Sequence, residues 1–248
     1  MMENLKEALE YVVGLGVSAE PTEVLEIDGK TYANRALTRY DKPVYAEPIK
    51  ASTLTALVDY IGSRSAEFRG EMLVHIVSPT CVRLVSGLDA ERNREVLFET
   101  TAEVSGFRFD RWYGQEEFMI ALQSNFQSNE DLELVMKVAG NVEHKNEQVF
   151  SDDGRSQVAT MQVGVASKAD VIIPNPVEMI PYRTFQEVEQ PSSKFVFRIG
   201  DDDGPRFKIV EAEGGIWKNE AVGNIKAFLI QAINRMPDDI KDKITVIG

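Results

Sequence analysis

The chain has 248 residues, 43% of them hydrophobic and 27% charged, with 27 Lys plus Arg against 40 Asp plus Glu and a net charge of −13. That balance excludes disordered and collagen-like classes, and it argues against a protein that grips a phosphate backbone across its whole surface, which needs a basic face. The length permits one large domain or two small ones.

In chain order, Leu5, Ala8, Leu9 and Val12 recur at helical spacing, and Gly14 and Gly16 are expected to stop that helix. The acidic start of this segment lacks the basic, then apolar, profile of a signal peptide, and no apolar run approaches bilayer length. Asp28-Gly29 between two short alternating runs predicts a hairpin. The proline-bearing segment 43–49 is expected at a sheet edge or outside the sheet. Ser52 or Thr53 can cap a helix carrying Leu54, Leu57, Val58 and Ile61, which Gly62 is expected to end or weaken. Three strand-like runs follow at 71–77, 81–85 and 95–104.

From Gln115 the period changes to a helical stripe of Phe118, Met119, Leu122 and Phe126. Residues 130–139 fit helix or strand by periodicity; Asn129 as a cap and acidic residues in the first turn favour helix. The next stretch reads as β-rich: runs at 142–150 and 156–165 around the turn 151–154, the proline-interrupted 170–181, then 182–189, 194–199 and 206–213. Phe195, Phe197 and Ile199 alternate, so one face should be buried. Asn219 is the expected cap of a last helix with Val222, Ile225, Phe228, Leu229, Ala232 and Ile233 facing inward, ended by Pro237 and followed by a short strand at 244–247. Strands and helices come in blocks, which predicts an α+β fold of mostly antiparallel sheets with flanking amphipathic helices. The loop 105–114 suggests two α+β regions, 1–110 and 111–248, with one continuous domain as the alternative.

The segments 52–61, 111–126, 130–138, 147–163, 173–182 and 194–213, in this order and spacing, resemble the YfdQ-like family of uncharacterised phage and prophage proteins. The resemblance covers roughly residues 50–235 and leaves the first 45 residues unaligned. It implies a phage or prophage origin and a host bacterial cytoplasmic setting; it implies no reaction, cofactor or site residue.

The chemistry-bearing residues are few. His75 lies in a strand-like run and His144 in a polar stretch, and each reads as structural without a partner brought by the fold. Two histidines and one cysteine are too few for a structural zinc site. Asp201, Asp202 and Asp203 read as a solvated turn rather than a calcium loop. Cys81 permits no intrachain disulfide, lacks an activating neighbour and is expected in the core. No phosphate-binding glycine loop or nucleophile elbow is present. The expectation is therefore no catalytic residue, no metal and no cofactor.

The candidate binding residues are Arg108, Arg111, Trp112 and Tyr113, in the segment 107–114 that also holds Phe107 and Phe109. Guanidinium groups and aromatic faces can stack on a base and hold a phosphate; the competing reading is a strand that buries alternate aromatics before a helix. The functional expectation is a non-enzymatic phage protein, homo-oligomeric, that counters host defence by sequestering a nucleotide-like immune signal or blocking a host immune protein. Direct nucleic-acid and membrane binding are not expected. The alternatives are an accessory factor in phage recombination or replication acting through a protein partner, and a nucleotide-processing enzyme.

Overall fold

The computed structural model describes residues 2–19, 23–27, 30–33, 44–104, 106–141, 156–162, 168–201 and 204–248. The chain forms two compact units, Met1–Tyr45 and Ala46–Gly248. The predicted turn at 28–29, the run 142–150, the turn 151–154, His144, Asp202 and Asp203 lie outside the described residues.

In the first unit, α1 (Met2–Ala19) runs through Gly14 and Gly16 instead of ending there. Glycine lowers helix propensity without forbidding helix. The strands β1 (Val24–Ile27) and β2 (Lys30–Ala33) pair antiparallel with Ile27 opposite Lys30, the register of a two-residue hairpin.

The second unit is α+β and contains two hydrophobic cores. It begins with β3 (Ile49–Ala51), α2 (Leu54–Ser63), β4 (Met72–Ser78), β5 (Cys81–Ser86) and β6 (Val96–Thr101). The Thr53 hydroxyl accepts from Ala56 N at 3.2 Å, so Thr53 is the cap of α2, and the helix passes through Gly62 before ending at Ser63. Period-two alternation shows directly in β4, where Met72, Val74 and Ile76 are buried and His75 and Val77 are exposed.

The chain then builds a second layer pair from β7 (Tyr113–Gly114), α3 (Gln115–Asn125), β8 (Phe126–Gln127) and α4 (Glu130–Asn141). Residues 130–139 are helical: Leu132 N donates to Asn129 Oδ1 at 2.9 Å, and Glu130, Asp131 and Glu133 occupy the first turn. The hairpin β9 (Ser156–Gln162) and β10 (Lys168–Pro174) follows, then β11 (Val177–Pro181), β12 (Ser193–Asp201) and β13 (Pro205–Glu211). The sheet order is β7-β13-β12-β11-β8, antiparallel throughout. Phe195 and Phe197 point from it into a core with Phe118 and Leu122 of α3 and Val135 and Val138 of α4. Phe118 stacks on Phe207 with ring centroids 5.3 Å apart.

Residues 182–189, expected as a strand, form a loop instead. Its backbone is satisfied by a side chain: Arg183 N and Thr184 N donate to Gln190 Oε1, and Gln190 Nε2 donates to Phe185 O and Val188 O. Phe185 and Val188 from this loop enter the first core.

The chain then returns to that core with α5 (Trp217–Ile233), α6 (Asp238–Lys241) and β14 (Ile244–Ile247). Ile216, not Asn219, is the residue preceding α5, because Gly214 and Gly215 at positive φ close the turn and let the helix begin three residues earlier. Ala221, Ile225, Leu229 and Ile233 form its buried stripe. The first sheet has order β14-β4-β5-β6-β3, antiparallel inside and parallel at both edges. Of the proline-bearing segment, residues 44–48 lie outside the sheet, and only Ile49 enters the edge strand β3. The chain passes from the first core to the second between Ala102 and Phe107, and 46–248 forms one compact unit in which the chain comes back to the first core.

Candidate functional site

The segment before α3 is held by its own aromatics. The Tyr113 hydroxyl accepts from Arg108 N at 2.9 Å and donates to Arg108 O at 3.0 Å, closing 108–113 into a tight loop. Phe107 stacks on Tyr113 with centroids 5.2 Å apart, and Phe109 stacks on Phe195 at 5.3 Å. These rings therefore extend the second core, as alternate aromatics before a helix do.

What the loop leaves outside is a groove of about 600 Å³ between residues 106–113 and the outer face of α3. Arg108, Arg111 and Tyr113 line one side. Glu116, Ile120 and Ser124 line the other, at the i, i+4 spacing that puts them on one helix face. Trp112 is not part of it. Its indole lies against Gly200 of β12, where an added Cβ would sit 3.0 Å from the ring, and Lys208 Nζ is 5.1 Å from the ring centroid. Three of the four residues expected from sequence are thus brought together, and the fourth leaves the closed 108–113 loop on the side of β12.

The two arginines differ. Arg111 Nη2 pairs with Glu117 Oε1 at 2.8 Å and lies 4.8 Å above the Tyr113 ring, so its charge is already met. Arg108 is exposed, and among the described residues no carboxylate pairs with it. Asn125, at the end of α3, also lines the groove; its Nδ2 donates to Ala121 O at 2.7 Å, and its buried Oδ1 accepts nothing from the described residues. The lining is balanced in charge: two guanidiniums face Glu116 and Glu117. It suits a ligand carrying both an anionic group and an N–H edge. The helix contribution was hidden in sequence by the stronger signal of the buried stripe Phe118 and Leu122, although the spacing of Glu116, Ile120 and Ser124 was visible.

The remaining sequence candidates stay apart from this groove. His75 is exposed on the outer face of β4, opposite Arg83, whose Nε pairs with Glu99 at 2.6 Å. Cys81 is partly buried at the start of β5, a strand end rather than the core, because the turn after Pro79 brings it near the surface. Among the described residues no group of three or more His, Cys, Asp or Glu side chains could hold a metal ion, and no helix is long and apolar enough to cross a membrane. No family model, curated protein or solved structure matches the chain.

Proposed function

We propose that this protein acts by binding, and that the groove between residues 106–113 and α3 takes a small nucleotide-like molecule. The observation that carries the reading is the placement of the Arg108 guanidinium, which no carboxylate among the described residues pairs with, in one groove with the Glu116 carboxylate. Arg108 supplies a charge-assisted donor for a phosphate, and Glu116 an acceptor for the amino edge of a base. A purely anionic ligand would be repelled by Glu116 and Glu117, so a phosphate alone is a poor occupant. In the setting that the family resemblance implies, a phage protein in the host cytoplasm, the role is counter-defence by sequestration of a nucleotide immune signal.

Calorimetric titration of the full chain with mononucleotides and cyclic dinucleotides tests this. One nucleotide class should bind, with Arg108→Ala weakening it at least about tenfold and Glu116→Gln changing the preference among bases. The affinity should fall with salt. Absence of binding to every nucleotide, or binding indifferent to Arg108→Ala, would defeat the reading.

A further inference from the structure

The two walls of the groove offer a ligand different partners. On the α3 side, among the described residues, the Glu116 carboxylate takes no hydrogen bond or ion pair, and the buried Asn125 Oδ1 accepts none. Glu117 is already held by Arg111. Apart from the Ser124 hydroxyl, which serves either way, what this wall leaves unmet is therefore acceptors. A carboxylate accepts and does not donate, so its partner must bring donors.

The loop side supplies a plane. The Arg111 guanidinium lies 4.8 Å over the Tyr113 ring and its Nη2 is held by Glu117, yet the side chain stays 46% exposed. A planar cation anchored on one side leaves its other side as a surface on which a base stacks. Ile120, 56% exposed on α3, adds an apolar wall to the same groove. Arg108 remains for the phosphate.

Bases differ in the edge they show to a carboxylate. Adenine and cytosine set an amino donor beside a ring-nitrogen acceptor, and uracil sets its one N–H between two carbonyls. In each case the second carboxylate oxygen meets a lone pair. Guanine alone of the four sets a ring N–H beside an amino group, two adjacent donors for two oxygens.

We infer that the groove selects guanine: the base stacks on Arg111, and its N1–H and 2-amino group donate to Glu116. This rests on the nucleotide reading of the groove and adds the base to it.

Calorimetric titration of the full chain with GMP, IMP, AMP, CMP and UMP, and with the cyclic dinucleotides of guanosine and adenosine, tests the assignment. The guanine ligands should bind at least about tenfold tighter than their counterparts, and IMP, which lacks the 2-amino group, about tenfold weaker than GMP. Glu116→Gln, whose amide sets one donor beside one acceptor, should erase the preference while AMP still binds. Glu130→Gln on α4, the same change of charge outside the groove, should leave the preference intact. Arg111→Lys keeps the charge and loses the plane, so it should weaken every base alike. Binding that depends on Arg108 but treats the bases equally, or favours adenine or a pyrimidine, would overturn the guanine assignment and leave the groove reading standing. A guanine preference that survives Glu116→Gln would do the same. Absence of binding to every nucleotide would end both.

Discussion

At the residue scale, buried polar groups in the first core show how local chemistry sets a measurable property. Tyr60 of α2 is almost fully buried and donates its hydroxyl to Glu67 Oε2 at 2.7 Å. Burial, then the hydrogen bond and charge of Glu67, push its ionisation up to about 12, with Glu95 adding and Arg64 opposing. An unfolded tyrosine ionises near pH 10. Between roughly pH 10 and 12 the unfolded chain therefore loses this proton while the folded chain keeps it, so stability present below pH 10 falls as pH rises. The contribution is on the order of 2 kcal/mol. Denaturant titrations across this range should show the decline, and Tyr60→Phe should flatten it. Arg183 is perturbed in the other direction: burial lowers it to about 10 against the favourable Glu211, which still leaves it charged at neutral pH. It lies 4.0 Å over the Trp217 ring and donates to Glu211, Pro191 O and Ser193. That makes it a clamp between the loop and α5.

At the element scale, the N-terminus of α2 shows a division of labour between near and distant residues. Thr53 caps from three positions away, and Glu187, from the 182–192 loop, accepts from Thr55 N at 3.1 Å. Two otherwise orphaned donors are met, one by sequence-local chemistry and one by a carboxylate placed at the positive end of the helix dipole. Thr53→Ala should cost about 1 kcal/mol. Glu187→Ala should cost less, since it is exposed and screened by solvent. The ordering would be reversed if the distant carboxylate were the dominant cap, and chemical denaturation of the two variants decides between them.

At the scale of the whole molecule, the 182–192 loop links the two cores of the second unit. Phe185 and Val188 fill the first core, Arg183 lies 6.0 Å from the Phe195 ring of the second, and Thr184 Oγ1 donates to Pro79 O at 2.5 Å. Two cores joined in this way should unfold together. Phe185→Ala, which removes a ring only 1% exposed, should cost about 3–5 kcal/mol. It should lower the melting of the whole second unit in calorimetry, with no separate transition from the second core. Two resolved transitions, one unmoved by the variant, would show the cores to be independent.

The sequence by itself determined what depends on near neighbours: the α+β class, a cap at Ser52 or Thr53, the helical state of 130–139, the pairing of 24–27 with 30–33 and the alternation of β4 and β12. Each follows from periodicities of 2 or 3.6 or from a side chain reaching the backbone a few residues away. Tertiary structure decided what depends on distant pairing. Residues 182–189 alternate like a strand, yet Gln190 satisfies their backbone as a loop, leaving Phe185 to a core built by residues 54–102 and 225–240. Likewise Arg108 and Glu116 become groove walls, and Trp112 is sent elsewhere, because the closed 108–113 loop fixes which way each side chain leaves the backbone. Local patterning states which faces are apolar; the long-range packing that minimises exposed apolar surface chooses their partners, and with them the site.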